Sequence, residues 1–145
     1  MSRAGAAPTI SLVTPNLNGA AYLGDCLDSI AAQRYAALDH VVVDGASTDG
    51  SMQIIEARRE RFAKVIVEPD QGHADALNKG FAETRGEIMG WLNSDDMLHP
   101  GCLDTVGRVF SAYPDIAWIT GRPSSMNDKG EVTYVGPARP WSRLR

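Results

Sequence analysis

The chain has few cysteines, and their spacing argues against a cysteine-based metal site. Its two cysteines, Cys26 and Cys102, lie far apart, and neither has a second cysteine or a histidine at the spacing of metal ligands. Cys26 falls on the apolar stripe of a predicted helix that begins near Tyr22, so a buried, reduced thiol is expected there.

The sequence also lacks a long apolar run and an excess of positive charge. No run approaches the length that spans a membrane, and no signal peptide is recognisable. A cytosolic protein is therefore expected, with peripheral attachment to the inner face of a membrane left open. The net charge of -4 argues against nucleic acid as a partner. Basic residues gather at two places: Arg58, Arg59 and Arg61, expected on the solvated face of a helix, and Arg139, Arg143 and Arg145.

Two glycine-rich phosphate-binding motifs are missing as well. The dinucleotide motif G-x-G-x-x-G would directly follow the first strand, but residues 14–19 read Thr-Pro-Asn-Leu-Asn-Gly. The pattern G-x-x-x-x-G-K-[ST] is absent from the sequence too. Any phosphate bound here would have to be held by a cation and by helix ends.

The 145 residues have the size and composition of one globular domain, with 43% hydrophobic and 22% charged residues. Residues 1–8 are small and polar and are expected to be disordered. Periodicity predicts strands at Thr9–Thr14 (stopped by Pro15), Asp39–Asp44, Lys64–Val67, Glu87–Leu92 and Ile116–Thr120. It predicts helices at Tyr22–Gln33, Ser51–Phe62, Gly72–Gly86 (with Gly86 ending it) and from Pro100, in the first turn, to Tyr113, and a turn at Asn127–Gly130.

This alternation predicts an α/β fold, a mainly parallel sheet with helices on both faces. Right-handed crossovers place the C-terminal ends of the strands on one edge, where ligands of such sheets bind. Polar residues follow each of the first four strands, at 15–19, 44–50, 70–72 and 93–96. Turn or capping roles explain any single loop, with Asn18 on the first helix and Ser47 or Asp49 on the second. The four loops together favour a polar ligand.

The fourth loop carries two adjacent carboxylates, Asp95 and Asp96. Like charges this close repel, so a divalent cation that also holds a phosphorylated ligand is a natural occupant. The alternative is a turn in which Asp96 caps the next helix.

The helix after the third strand carries a polar stripe, Asp75, Asn78 and Lys79. A solvated ion pair and a pocket lining explain this stripe equally well. His73, at the start of that helix, is a candidate general base on its position alone.

The chain resembles the family 2 glycosyltransferases, a GT-A-fold group that uses nucleotide-diphospho-sugars. The matching blocks are Ile10–Asn18, Val41–Ser51 and Glu68–Asp96, in the family's order and spacing, and the resemblance extends from Thr9 to Pro123. It implies a three-layer α/β/α, Rossmann-like fold for a nucleotide-sugar-binding domain at residues 9–123. Residues 124–145 are expected to be a short extended tail or the start of an acceptor region.

The resemblance also implies roles for individual residues. Pro15, Asn16 and Asn18 would line the nucleoside pocket, and Asp44 would hydrogen-bond the base, most often uracil. Asp70 and the stripe of Asp75, Asn78 and Lys79 would contact the nucleotide or diphosphate. Asn93, Ser94 and Asp95 occupy the place of the family's Asp-x-Asp motif, which makes Asp95 the ligand of Mg²⁺ or Mn²⁺. The first Asp of that motif is Asn93 here, so its contact with ribose or metal would come from a neutral amide.

The activity that the resemblance implies is inverting transfer of a sugar, UDP-linked in the donor, to a hydroxyl of a glycan, lipid-linked or other acceptor. Family members carry their catalytic Asp or Glu in an acceptor-binding region, and nothing after Gly121 resembles that region. The rival interpretations are a non-catalytic nucleotide-sugar-binding module and a nucleotidyltransferase. The missing Gly-rich, Lys/Arg-bearing loop after the first strand argues against the latter. The donor sugar and the oligomeric state stay open.

Overall fold

A computed structural model describes residues 7–137. The chain divides into two compact units, Met1–Pro114 and Asp115–Arg145. The first six positions of the expected disordered N-terminus lie outside the described residues, as do Arg139, Arg143 and Arg145. The first unit contains β1 (Ile10–Asn16), α1 (Ala20–Ala31), β2 (Leu38–Asp44), α2 (Ser51–Glu56), β3 (Lys64–Val67), α3 (His73–Ala82), β4 (Ile88–Trp91) and α4 (Cys102–Ala112).

The four strands of the first unit form one parallel sheet in the order β3-β2-β1-β4. β1 and β2 are paired from Ile10 opposite Leu38 to Asn16 opposite Asp44. The run Val41–Val43 is fully buried, because a strand in the middle of such a sheet is covered on both faces. The predicted α/β architecture with a mainly parallel sheet is confirmed.

Helices cover both faces of the sheet and form two hydrophobic layers. On one face, Ala76 of α3 packs with Val13, Val41 and Val43. Side chains of α1 and α2 pack against Val42 on the opposite face: Leu23, Leu27 and Ile55. In this parallel arrangement the C-terminal end of each strand, and therefore the loop that follows it, lies at one edge of the sheet.

β1 extends past Pro15, so the prediction that proline stops this strand was wrong. The carbonyl of Val13 accepts a hydrogen bond from the Leu92 amide on the β4 side. The carbonyl of Asn16 accepts one from the Gly45 amide on the β2 side. Because the backbone groups of successive strand residues point to opposite sides, the backbone nitrogen of Pro15 points to the β4 side. It lies just beyond the last residue of β4, where no amide is needed to hydrogen-bond that strand.

The predicted strand Ile116–Thr120 is not a strand in the structure. These residues pair with no strand among residues 7–137, and Trp118 is 65% exposed. Strand composition does not produce a strand without a partner that satisfies its backbone groups. The second unit instead contains an antiparallel hairpin of β5 (Ser124–Met126) and β6 (Val132–Val135), with the predicted turn at Asn127–Gly130 confirmed.

Four of the predicted helices have different boundaries in the structure. α1 runs from Ala20 to Ala31 rather than from Tyr22 to Gln33. α2 ends at Glu56 and is followed by a 3-10 turn at Arg59–Arg61 rather than continuing to Phe62. Pro100 lies before α4, whose N-cap is Gly101 at a φ of 76°. α3 ends at Ala82, four residues before Gly86 would end it. Gly86 serves close packing instead, since a Cβ there would lie 2.7 Å from the Ser11 amide nitrogen.

The arginines of the 3-10 region were predicted to be solvated, but two of them bind α1. Arg58 and Arg61 form ion pairs with Asp28 at 2.8 and 2.7 Å. Hydrogen bonds from Arg58 first, and then from Arg61, hold the pKa of Asp28 well below its usual range. These contacts join α1 to the end of α2 at the protein surface.

Buried His40 makes the stability of this unit dependent on pH. Its Nε2 lies 2.9 Å from the Thr14 hydroxyl, and its ring packs edge-on against Phe62. Burial lowers the pKa of His40 from 6.5 to about 4, against a smaller opposite effect of Asp39.

The unfolded chain therefore binds one more proton than the folded chain between those two values, so stability falls as the pH falls through that window. We expect a loss of about 3 kcal/mol between pH 7 and pH 4 from this residue. Denaturant unfolding of the wild type and of His40→Gln, which keeps a polar partner for Thr14 but does not titrate, measures this contribution. An identical pH profile for the two proteins would contradict it.

No helix among residues 7–137 is long and apolar enough to cross a membrane.

Candidate functional site

A pocket of about 510 Å³ opens at the C-terminal ends of β1 and β4. This volume falls in the range of small-molecule sites. Three of the four polar loops line it, together with the starts of α1 and α3. The residues named from the sequence that lie in its wall are Pro15, Asn16, Asn18, Asp70, His73, Asn93, Ser94 and Asp95.

Sequence reasoning missed several residues of the pocket wall. They are Leu17, Gly19, Tyr22, Gly72 and Ala76. Tyr22 was placed on the apolar stripe of the first helix because its spacing to Cys26 fits that stripe, yet its side chain is 61% exposed at the pocket. The first turn of α1 lies at the edge of the sheet, beside the pocket. Sequence spacing alone does not show whether a residue in this turn lies at the pocket or in the hydrophobic core.

Asp44 lies beneath the pocket rather than in its wall. Its carboxylate is fully buried and accepts hydrogen bonds from Asn16 Nδ2 at 2.7 Å, the Ser47 amide at 2.7 Å and the Ser47 hydroxyl at 2.8 Å. These bonds satisfy a buried charge that would otherwise be costly. Asp44 thus fixes the side chain above it, Asn16.

Asn16 presents an acceptor that has no partner among the described residues. Its side chain is 3% exposed, and its Oδ1 is buried without a hydrogen bond. The carboxylate of Asp44 only accepts hydrogen bonds, so the amide nitrogen must face it and Oδ1 must face the other way. Oδ1 points to Gly19, where an added Cβ would lie 2.3 Å from Oδ1 and 2.9 Å from the Ser94 hydroxyl. Both neighbours line the pocket.

The first two loops are joined by hydrogen bonds, and of the residues considered as caps Asp49 binds amides at the starts of the helices. Asn18 has a φ of 52°, and its Oδ1 accepts a hydrogen bond from the Thr48 backbone amide. The backbone amide of Asn18 donates a hydrogen bond to the Ser47 hydroxyl. Asp49 accepts from the Ala20 amide at the start of α1 and from Ser51 at the start of α2. Bonds from the Ser51 hydroxyl first, and then from the Ala20 amide, lower the pKa of Asp49. One carboxylate therefore serves the first turns of two helices.

The third loop is held by the polar stripe of α3. Lys79 Nζ donates to the Pro69 carbonyl at 2.8 Å and pairs with Glu68 and Asp75, both at 3.1 Å. The bond with Glu68 contributes most to raising the pKa of Lys79. Asp75 also accepts from the Gln71 amide, the main cause of its lowered pKa.

Asp75, Asn78 and Lys79 do not belong to the pocket wall. Asp70, in the loop that this stripe holds, does line the pocket. It accepts from the Gly72 amide and lies against Gly45, where an added Cβ would be 2.6 Å from Asp70 Oδ2. The third loop is thus seated against the second.

In the fourth loop, Asn93 connects α3 to the acidic pair. Asn93 Nδ2 donates to Asp96 at 3.3 Å, so Oδ1 is the atom that faces His73 Nε2 at 2.8 Å. His73 Nε2 must then carry a proton, which argues against that nitrogen as a general base. Asp96 makes this bond rather than capping α4, whose N-cap is Gly101.

Asp95 is exposed in the pocket wall, and its surroundings suit a hard cation. No group of three or more His, Cys, Asp or Glu within residues 7–137 could hold a metal by itself. Mg²⁺ and Mn²⁺ sites of nucleotide enzymes do not need one, since one or two carboxylates and the phosphate oxygens suffice. Asp95, with the Ser94 hydroxyl beside it, fits that requirement.

Cys26 is a buried free thiol, as expected, and lies under the fourth loop. Its Sγ donates to the Asn93 carbonyl at 3.3 Å. Burial, with smaller contributions from Asp96 and Asp95, raises the pKa of Cys26 to about 12. The thiol stays protonated at neutral pH and remains a donor.

A family model for glycosyl transferase family 2 matches residues 11–143. The chain belongs to this family. The family 2 match covers the strand ends, all four loops and the pocket described above.

Curated relatives of this family 2 chain come from several bacteria. The chain is 36% identical over 128 residues to the O-antigen biosynthesis protein RfbC of Myxococcus xanthus. The match covers 85% of this chain and 10% of that protein. The chain is 38% identical over 107 residues to a PGL/p-HBAD biosynthesis glycosyltransferase of Mycobacterium bovis, covering 72% of this chain and 41% of the relative. The chain thus spans less than half the length of these relatives.

Solved structures show the same GT-A architecture. TarS 1-349 of S. aureus, in complex with UDP-GlcNAc, aligns with a TM-score of 0.68 and 25% identity over 73% of this chain and 32% of its own. The mannosyltransferase PcManGT of Pyrobaculum calidifontis, in complex with GDP-Man and Mn²⁺, aligns with a TM-score of 0.65 and 29% identity over 76% of this chain and 33% of its own. The family 2, GT-A interpretation of the sequence is confirmed.

Proposed function

We propose that the pocket binds a nucleotide-diphospho-sugar, with UDP as the nucleotide, and that the chain supplies the donor-binding part of an inverting glycosyltransferase. The observation that carries this proposal is the buried, unpartnered Oδ1 of Asn16, a residue of the pocket wall whose Oδ1 lies against Gly19. A buried acceptor without a partner is costly, so a ligand that donates to it gains affinity.

The chemistry of the base favours uracil or guanine at this end of the pocket. Uracil N3 and guanine N1 each carry a ring N–H that can donate to an acceptor, whereas N3 of cytosine cannot. Asp44 would act through Asn16 by fixing its orientation, and the exposed side chains of Leu17 and Tyr22 add apolar contact for a ring. The neighbours TarS and PcManGT hold UDP-GlcNAc and GDP-Man respectively, which agrees with such a base.

The diphosphate would lie toward the fourth loop, at Asp95, Ser94 and Asn93. Asp95 would hold a Mg²⁺ or Mn²⁺ ion together with the phosphate oxygens, as its exposed carboxylate allows. When bound, such an ion supplies Lewis-acid stabilisation of the charge that develops on the leaving nucleoside diphosphate. PcManGT was solved with Mn²⁺, and this supports the same ion here.

In the transfer itself, a hydroxyl oxygen of the acceptor would form a bond to the anomeric carbon as the bond from that carbon to the phosphate oxygen breaks. The attack is in line and inverts the anomeric centre. The hydroxyl proton goes to a carboxylate base, a role typically worth about 10²- to 10⁴-fold in rate. None of the pocket residues is assigned to it. A glycan, a lipid-linked sugar or another hydroxyl compound would serve as the acceptor.

A second candidate is a nucleotide-sugar-binding module without transfer activity. The observation in its favour is that His73, the candidate base named from the sequence, already donates from Nε2 to Asn93 Oδ1 at 2.8 Å. Donor hydrolysis and transfer assays on this chain and on any longer native form separate the two. Transfer by the 145-residue chain itself would rule out the module.

A thermal-shift comparison of nucleoside diphosphates with Mn²⁺ tests the proposal. UDP at about 100 times its Kd would add about 2.7 kcal/mol and raise Tm on the order of 5–10 °C. CDP is the matched control, because it has the same ribose diphosphate but no N3–H, and a smaller rise is expected. GDP shows whether a guanine base fits as well. Equal shifts for UDP and CDP would remove Asn16 Oδ1 as the group that reads the base.

A further inference from the structure

Side chains of α1 and of the turn after it hold the connection from β4 to α4 through four hydrogen bonds. Cys26 Sγ donates to the Asn93 carbonyl at 3.3 Å, and Ser29 Oγ accepts from the Leu98 amide at 3.1 Å. Gln33, two residues after the end of α1, donates from Nε2 to the His99 carbonyl at 3.0 Å and accepts at Oε1 from the Leu103 amide of α4 at 3.3 Å. Cys26 and Ser29 are three positions apart, so they lie on one face of α1.

The loop that receives these bonds has no helix or strand between Trp91 and Cys102. Loops without their own backbone ladder are mobile unless other groups pair with their amides and carbonyls. The bonds meet this connection at Asn93, at Leu98 and His99, and at Leu103 in the first turn of α4. Leu98 also packs against the cluster of Leu12, Cys26 and Ile30. The segment that carries Asp95 is therefore held at a residue before it and at residues after it.

We infer that Cys26, Ser29 and Gln33 are positioning residues, which hold Asn93, Ser94 and Asp95 where they face the nucleotide and its cation. None of these three side chains lines the pocket, so they act through the loop. The inference rests on the proposed function and adds to it the groups that order the cation-binding loop. Outer residues that orient a metal ligand commonly contribute 10- to 100-fold in metal affinity.

The chemistry of Cys26 suits this role. It lies directly below Asn93 in an apolar setting, with Leu12 and Ile30 as neighbours. A protonated thiol fills such a site as a small apolar group and still donates a weak hydrogen bond. A serine would keep the donor and lose apolar volume, whereas an alanine would lose the donor and stay apolar.

The test is the ratio of UDP affinities measured by calorimetry with Mn²⁺ and with EDTA, called here the Mn²⁺ enhancement. Gln33→Ala removes two of the four bonds at a half-exposed position, and Gln53→Ala on α2 is the matched control. We expect the enhancement to fall about tenfold in Gln33→Ala and to stay within about twofold in Gln53→Ala. UDP affinity in EDTA should change little in either, because the loops around Asn16 are untouched.

Two results would overturn the inference while leaving the proposed function intact: an unchanged enhancement in Gln33→Ala, or an equal loss of UDP affinity with and without Mn²⁺. Cys26→Ser against Cys26→Ala gives an independent check. A positioning role predicts that Ser keeps more of the enhancement than Ala, whereas a packing role predicts the reverse order. A wild-type chain that binds UDP without any enhancement would instead overturn the proposed metal site, and this inference with it.

Discussion

Asp95→Ala is expected to abolish the effect of Mn²⁺ or Mg²⁺ on UDP binding and to lower the affinity by about 100-fold, which is about 2.7 kcal/mol. The reason is that Asp95 is the exposed carboxylate of the pocket wall, with Ser94 and Asn93 as its neighbours. Without it, the negative charges of the diphosphate would have no cation to bridge them to the protein. Calorimetric titration with UDP in Mn²⁺ and in EDTA measures the effect.

Asp96→Asn is the matched control for this experiment. Asp96 is also exposed, and its role in the structure is to accept a hydrogen bond from Asn93 Nδ2, which an amide oxygen can do as well. The variant therefore removes one negative charge next to the site and keeps the local geometry. A loss as large as that of Asp95→Ala would indicate a general charge effect. Equal UDP affinity of the wild type in Mn²⁺ and EDTA would exclude the proposed metal site.

Asp44→Ala should weaken UDP binding at least tenfold and lower the free energy of unfolding by about 3 kcal/mol. The carboxylate is fully buried, and its loss leaves Asn16 Nδ2 and two groups of Ser47 without their acceptor, each costing about 1–3 kcal/mol. The affinity falls because Asn16 is then free to rotate and no longer presents Oδ1 to the ligand. Calorimetry at a temperature where the variant is folded, together with denaturant unfolding, measures both effects.

A double-mutant cycle decides how Asp44 acts. If it works by orienting Asn16, Asp44→Ala should have little further effect on UDP affinity once Asn16→Ala is present. Additive losses would mean that Asp44 contacts the base directly, as the family resemblance implies. An unchanged affinity in Asp44→Ala would remove this residue from the site altogether.

The sheet could be predicted from the sequence because its signals are local. The run Val41–Val43 is apolar throughout, as a strand buried on both faces must be, and the polar residues begin where each strand ends. The alternation of strands and helices along the chain then places the C-terminal ends of the strands on one edge of the sheet. The extension of β1 through Pro15 could not be predicted, since it depends on where the neighbouring β4 stops. The prediction of a strand at Ile116–Thr120 was wrong for a similar reason, because a strand needs a partner strand that the composition does not reveal.

The candidate site was predictable as a set of loops but not as a set of contacts. Asn16, Asn93 and Asp95 were named from their positions at strand ends, and the structure brings them to one pocket. That Asp44 lies below Asn16, and that Lys79 pairs with Glu68 and the Pro69 carbonyl, depends on side-chain directions that sequence spacing does not fix.

The pairing of β1 with both β2 and β4 has a consequence for how this unit acquires its structure. β4 lies far along the chain from β1, so the centre of the sheet is completed by closing a long stretch of polypeptide. Bringing distant segments together costs chain entropy before the contacts between them contribute stability, so folding that depends on such contacts is slow. A ribosome-bound chain would have to expose Ile88–Trp91 before the first strand acquires its second neighbour.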